Sequence, residues 1–332
     1  MGAFIIVDAF WGDAGKGKFC AFLSKSFNAK LAVRAGTGTN SGHSIFIGDK
    51  FIKCKMLPLG WINEGTKVLI SSGVAVDPEI FLNEIREYNL NGRAFVDWRC
   101  PIIEKKHIEF EQTDEILNFI DSTKSGSGKA RADFIMRKGK QAKDIVELSD
   151  YLIDSIIEIN DCATTSTVVI EGSQATFLSL YASDRYPYVT SDNCTTAAFL
   201  DDASLNWQLI EKVILLVKCL PTCVGKGYLP HEMTKEEIIS RNLDEYGVNT
   251  GRFKRRSSCI DWERLSYSVK VNGPTEIALT YCDQFDPKIE NVKERDKITY
   301  PIWKLIEKLE DVTQVPVRYL ETGKDFSNII IL

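Results

Sequence analysis

A chain of 332 residues, 44% apolar and 26% charged, is long enough to bury a substantial core and too hydrophobic for a disordered or fibrous protein. Its 41 basic and 46 acidic side chains leave a net charge of −5, which argues against a protein that holds nucleic acid by neutralising phosphates. Nine cysteines without a C-x-x-C pair, beside only three histidines, argue against a zinc site or a disulfide framework.

The first predicted element is a strand, Ala3 to Val7, a short apolar run stopped by a glycine-rich turn. Phe19, Phe22, Leu23 and Phe27 then recur at helical spacing. Further buried-strand candidates follow at Leu31 to Arg34, Val68 to Ser71, Ala94 to Asp97, Val168 to Glu171, Val213 to Cys219, Ile277 to Tyr281 and Val315 to Leu320. Helix-like stretches lie between them at 77–89, 105–119, 144–160, 234–243, 261–272 and 300–312. This alternation predicts an α/β fold, a mostly parallel central sheet with helices on both faces and long active-site loops. With no repeat, low-complexity tract or linker, one domain over 1–332 is expected. No apolar run approaches the ~20 residues of a membrane span, and the N-terminus shows neither a secretory pattern nor a Ser or Thr at position 6 for lipidation of Gly2. A cytoplasmic protein without a membrane partner is the expectation.

The sharpest local signal is Trp11-Gly12-Asp13-Ala14-Gly15-Lys16-Gly17-Lys18, a G-x-x-x-x-G-K pattern after a strand and before a helix. Glycines let backbone N–H groups approach phosphates, and the helix N-terminus favours their charge. Phe19 stands where a magnesium-binding Ser or Thr would follow, which makes Asp13 the candidate oxygen ligand. An ordinary Gly-rich turn at a basic helix start would read the same. A second loop, Gly36 to Ser44, is a rack of donors containing His43, a residue that in a loop is more often on the surface. Similar loops occur at 122–129, 171–174 and 186–191. The last, Asn249-Thr250-Gly251-Arg252-Phe253-Lys254-Arg255-Arg256, carries four positive charges in five residues, readable as a solvated stripe or as an anion site. Several such loops on strand ends of an acidic chain suggest a site for two phosphate-bearing small molecules.

In this order the segments WGDAGKGK, GTNSGH, the Ser/Gly loop ending in ADFIMR, EGSQ, YPYVTS, NTGRFKRR and TYCD resemble the adenylosuccinate synthetase family over nearly the whole chain. DWRCPIIEKKH is similar to its compact archaeal-type branch, and CTTAAFL and KCLP resemble phage-encoded relatives that join aspartate to deoxyguanylate. The resemblance implies a P-loop-like GTP-binding architecture. It further implies a Mg2+-dependent ligase that removes the N1 proton of a purine nucleoside monophosphate, phosphorylates O6 from GTP and lets L-aspartate displace phosphate at C6. Asp13 matches the base, and His43 and Gln174 match the other catalytic positions. Gly12, Gly15, Lys16, Gly17, Lys18, Lys254, Asp283 and Gly323 match the donor-nucleotide site. Asn40, Thr123, Arg137, Gln174 and Thr190 match acceptor contacts, with Arg137 reaching over from a partner subunit, so a homodimer is implied. Asn249, Thr250, Gly251 and Arg252 match the aspartate clamp, and Asp13 with the Gly42 carbonyl matches the magnesium ligands.

The departures cluster near the acceptor. Ala14 replaces an acidic residue usual in the family, Lys124 a Gly, and Cys223 an Arg. With the phage-like segments they favour dGMP as acceptor, in which case the compartment would be a phage host's cytoplasm, with IMP as the alternative. Asp283 can accept from guanine N1–H and the 2-amino group, which favours GTP as donor. A phosphate-loop NTPase switch would use only the first loop, leaving His43 and the aspartate clamp without a role, and a retired nucleotide-binding module would not need Asp13, His43, Gln174 and Arg252 together.

Overall fold

The computed structural model describes residues 1–247 and 250–332. Its strands in chain order are β1 (Gly2–Asp8), β2 (Leu31–Ala35), β3 (His43–Ile47), β4 (Lys50–Cys54), β5 (Lys67–Ile70), β6 (Ala94–Asp97), β7 (Leu152–Ile153), β8 (Thr167–Gly172), β9 (Ile210–Lys218), β10 (Thr222–Cys223), β11 (Arg255–Arg256), β12 (Glu276–Thr280), β13 (Val317–Glu321) and β14 (Ile329–Ile331). Ten of them form one sheet in the order β14-β13-β12-β9-β1-β8-β2-β5-β6-β7. The neighbours pair in parallel except β13 with β14.

Burial on both faces explains why the central strands read as continuous apolar runs. Along β1, Ala3, Ile5 and Val7 face one core cluster while Phe4 and Ile6 face the other, the two-residue alternation of a strand. The first cluster is covered by Ile159, Phe199, Leu265, Ile302 and Ile306 from helices Ser155–Thr165, Thr196–Ala203, Trp262–Asn272 and Tyr300–Thr313. The second takes Phe19 and Leu23 from helix Lys16–Ser26, and Phe81 and Ile85 from Pro78–Tyr88. The molecule is thus an α/β protein with helices on both faces of a large, mostly parallel sheet. Among the described residues no helix is long and apolar enough to cross a membrane.

Several stretches differ from expectation, helices Ser127–Ile135 and Thr196–Ala203 among them, and three do so for local reasons. The helix expected over 144–160 is a short 3-10 turn at Val146–Tyr151, the strand β7, and a helix from Ser155. Asp154 starts that helix by accepting from Ile156 N and Ile157 N at 3.1 and 3.3 Å, a cap that ends whatever precedes it. The helix expected over 105–119 breaks at Asp114, which accepts from Leu117 N at 2.8 Å. The hairpin of β3 and β4 was not anticipated, although Gly48 and Asp49 between paired Ile47 and Lys50 are a two-residue turn signal. His43 therefore opens a strand and is buried, rather than sitting in a surface loop.

Candidate active site

The loops after β1, β2, β8, β9 and β12 converge beyond the carboxyl ends of these strands, the edge where open α/β sheets bind ligands. They enclose a cavity of roughly 250 Å³. After β1, Asp8 organises the phosphate loop: its carboxylate accepts from Phe10 N at 3.0 Å and Ala14 N at 3.3 Å and pairs with Lys16 Nζ at 3.1 Å. Gly15 takes φ 90° at the N-cap of helix Lys16–Ser26, a conformation that a side chain would strain. Gly17 has a different constraint. A Cβ there would lie 2.7 Å from His43 Cβ and 2.6 Å from Leu59 Cδ1, so only glycine lets the helix start close on His43. Gly12, Asp13, Gly15, Lys16 and Gly17 all line the cavity, as do Gly42 and His43.

His43 sits in a buried charge cluster. Its Nδ1 contacts Glu171 Oε1, while Arg34 Nη1 reaches the same carboxylate oxygen at 2.9 Å and approaches ring atoms Nδ1 and Nε2 at 2.7 and 3.2 Å. The other oxygen, Glu171 Oε2, accepts from Leu59 N at 2.9 Å. Burial is the main force holding the imidazole well below its ordinary pKa, with Arg34 and Lys16 adding to it. Arg34 shares the Glu171 carboxylate with His43, and burial lowers that guanidinium only to about 10. The arrangement fits a neutral ring wedged between the Glu171 carboxylate and the Arg34 guanidinium.

The basic run 252–256 is not a solvated stripe. Lys254 and Arg256 are buried and both reach Glu245, at 3.2 and 2.8 Å. Lys218, from the end of β9, joins the same carboxylate at 3.2 Å. Lys254 Nζ also meets Asp13 Oδ2 at 3.2 Å, the one polar contact of that carboxylate among the described residues. Burial raises the Asp13 pKa, but Lys254 and then Lys218 outweigh it, so the carboxyl lies below its ordinary value and is ionised at neutral pH. Burial, in turn, pushes the Lys218 ammonium down to about 8. The Glu245 carboxyl, which burial would raise, is held well below its ordinary range by Lys218, Lys254 and Arg256. A hard oxygen donor facing the cavity beside the Gly42 segment fits Mg2+, which takes few protein ligands and leaves its remaining positions to phosphate and water.

Of the expected acceptor contacts, Asn40, Thr123, Gln174 and Thr190 line the cavity. Asn40 Nδ2 donates to Thr190 Oγ1 at 2.9 Å, and the Asn40 side-chain oxygen is buried without a partner among the described residues. Lys124 has φ 53°, a left-handed backbone that glycine adopts without strain. Arg137 is exposed and outside the cavity lining. Thr250 and Arg252 line the cavity, Gly251 does not, and Asn249 lies outside the described residues. The Arg252 guanidinium is engaged by the Asp121 carbonyl at 2.6 Å and its carboxylate at 3.1 Å, so an incoming carboxylate would take the place of one already there.

Lys18, Asp283 and Gly323 are together but outside that lining, at the ends of β12 and β13. Lys18 Nζ pairs with Glu321 Oε1 at 2.7 Å and donates to the Gly323 carbonyl, and Glu321 Oε2 accepts from Tyr281 N at 3.3 Å. Lys18 is thereby committed to tying helix Lys16–Ser26 to the end of β13, while Glu321 reaches across to the end of β12. Burial first, then the Glu321 charge, pushes Asp283 up to about 6. If Asp283 accepts from guanine, its ionised form is the binding form. GTP affinity should then fall as pH drops through about 6, and Asp283→Asn should remove that dependence while eroding GTP over ATP by ~1–3 kcal/mol. Titrations of both nucleotides between pH 5 and 8 check this, and an unchanged preference in the variant would end the assignment.

Glu171, Arg34, Glu245, Lys218 and Tyr281 were not singled out as site residues. For Glu171 the signal was its place in EGSQ at a strand end. Arg34 and Lys218 also carried one, a charge closing an otherwise apolar strand.

The fold and site define a nucleotide-handling α/β enzyme with an ionised carboxylate between a phosphate loop and a cationic cluster. The family profile described as Adenylosuccinate synthetase matches residues 5–151 and 146–290. Proteins named adenylosuccinate synthetase are 42% identical in Archaeoglobus fulgidus, covering 100% of this chain and 98% of that one, and 40% identical in Methanocaldococcus jannaschii, covering 99% and 96%. The chain belongs to the adenylosuccinate synthetase family of ligases. In fold it matches the fully ligated adenylosuccinate synthetase of Plasmodium falciparum with TM-score 0.92 at 20% identity, over 100% of both chains. It also matches a succinoaminodeoxyadenylate synthetase of cyanophage S-2L, bound to dGMP and dATP, with TM-score 0.80 at 21% identity, over 99% of this chain and 95% of that one.

Proposed function

We propose that the protein is a GTP-dependent carbon–nitrogen ligase that joins L-aspartate to C6 of IMP, forming adenylosuccinate. The observation that carries this reading is the ionised Asp13 carboxylate facing a cavity flanked by the phosphate loop and Thr250–Arg252. Relatives near 40% identity over the full chain, named for the ordinary synthetase, favour IMP over the dGMP suggested by the phage-like segments. The phage enzyme is alike in fold alone.

In this reading Asp13 takes the N1 proton, which concentrates charge on O6 for attack on the γ-phosphorus of GTP. GDP leaves, and the aspartate amine adds at C6, expels phosphate with its oxygen, and loses a proton. Lys16 and the amides of Gly15 and Gly17 hold the phosphates, Lys254 fixes the Asp13 carboxylate, and Thr250 and Arg252 hold the aspartate carboxylates. Asp13 and the Gly42 carbonyl would hold Mg2+, which when bound neutralises phosphate charge.

Incubating the protein with GTP, Mg2+ and aspartate, and offering IMP, GMP and dGMP separately, tests the reading by the mass of the product. Only the IMP arm should yield the aspartyl adduct efficiently. A dGMP arm that matches or exceeds it would restore the phage-type assignment, and phosphate release without aspartate would favour an NTPase switch.

The working unit in this reading is a homodimer. Arg137 follows helix Ser127–Ile135 on the surface, flanked by Ile135 and Met136, which are 71% and 62% exposed, apolar surface suited to a partner subunit. If Arg137 serves the partner's site, mixing Arg137→Ala protein with Asp13→Asn protein should restore part of the activity through hybrids holding one intact site. No recovery, with subunit exchange demonstrated, would place Arg137 outside the partner's chemistry.

A further inference from the structure

The Arg185 side chain is buried, and no carboxylate pairs with it among the described residues. Its Nη1 donates to Cys223 Sγ at 3.6 Å and its Nη2 to the Lys226 carbonyl at 2.7 Å, while its Nε is buried with no acceptor among the described residues. Its guanidinium lies 6.0 Å from the centre of the Trp11 ring, beside the phosphate loop. A buried cation with only neutral partners is costly unless negative charge arrives nearby.

The contacts of Arg185 fall on one wall of the cavity, the segment 223–226. The opposite side of that segment is held by Arg255, whose Nη1 donates to the carbonyls of Gly225 and Gly227 at 2.9 and 2.8 Å. The same wall is coupled to the loop containing Thr250: Cys223 pairs with Arg255 across β10 and β11, and a Cβ on Gly247 would touch both Thr250 Oγ1 and Val224. The Cys223 side chain is small enough to leave room for the Arg185 fork, and an added Cβ at Gly227 would meet Arg185 Nη2 at 2.8 Å.

We propose that Arg185 is a positioning residue for L-aspartate: it holds the 223–226 wall against the Thr250–Arg252 loop and supplies positive charge behind that wall. The proposal rests on the ligase reading above. Its charge acts on a dicarboxylate docking across that wall, so its loss weakens aspartate selectively.

The test is steady-state kinetics of native protein, Arg185→Ala, Arg185→Lys, and Cys223→Arg combined with Arg185→Ala, varying aspartate, acceptor and GTP in turn, with thermal midpoints measured alongside. Arg185→Ala should raise KM for aspartate about tenfold or more with smaller changes for GTP and in kcat. Arg185→Lys should recover part of that loss, and the double variant should recover most of it by returning an arginine to the same wall. An Arg185→Ala protein with native aspartate KM, or with kcat and all three KM values impaired alike, overturns the proposal. If Arg185→Ala fails to fold, the Lys and double variants decide: neither rescuing aspartate KM overturns it. A native protein that makes no aspartyl nucleotide instead overturns the ligase reading, and this proposal with it.

Discussion

Asp13→Asn should turn over at least ~100-fold more slowly than the native protein while still binding the acceptor nucleotide. The amide keeps the size of the side chain and the loop around it, which Asp8 holds through Phe10 N and Ala14 N rather than through Asp13. What it removes is the proton acceptor and an oxygen donor for a cation. The environment gives the prediction a pH signature. Burial raises the Asp13 pKa, but Lys254 and Lys218 together lower it below its ordinary value, so the base is ready throughout the neutral range. With GTP held saturating at each pH, single-turnover activity should therefore stay flat as pH falls from neutral and decline only below the usual carboxylate range. Removing the Lys254 charge by Lys254→Met should move that decline upward, because burial then acts with less opposition. Single-turnover rates against pH check both statements. An Asp13→Asn protein with native turnover would remove the residue from the chemistry.

The largest loss of stability is expected at Glu171. Its carboxylate is wholly buried and serves three groups at once, Arg34, His43 and the Leu59 amide. Glu171→Ala leaves a guanidinium that is 1% exposed without its counter-charge, a change that costs ~3–5 kcal/mol. The loss should be read as a lower urea midpoint at an unchanged m value. Glu171→Gln keeps the acceptor for Leu59 N and the shape, so it should lose less stability than Ala. It should still lose activity, because an amide does not hold the imidazole and the Arg34 guanidinium as a carboxylate does. A native urea midpoint for Glu171→Ala would mean that the cluster is not a unit.

How much of this was readable without a structure depended on the range of the interaction. β1, the glycine turn after it and the helix from Lys16 were visible because apolar runs, glycines and helical spacing act within about a dozen residues of chain. The ends of the interior strands were found to within a few residues for the same reason: both faces are buried, so each strand is one apolar word between turns. Helix boundaries fared less well. Asp154 and Asp114 interrupt the apolar spacing by capping, and a single aspartate in a polar stretch looks like any surface residue until its carboxylate is seen to accept from the turn that follows.

The sequence by itself determined the parts list: a phosphate loop after the first strand, a donor-rich loop with a histidine after the second, a basic loop late in the chain, and an ordered set of segments sufficient to name the family. Only the tertiary structure decided which charges meet. Asp13 and Lys254 are 241 positions apart, and nothing local in either segment says that they share a contact at 3.2 Å. The same holds for Arg34 with Glu171, for Lys218 with Glu245, and for Arg185 with Cys223. Parallel strand order brings these ends to one edge of the sheet. There, burial strengthens each pairing and sets the proton affinities of the groups that remain, a consequence of position in space that spacing along the chain does not carry.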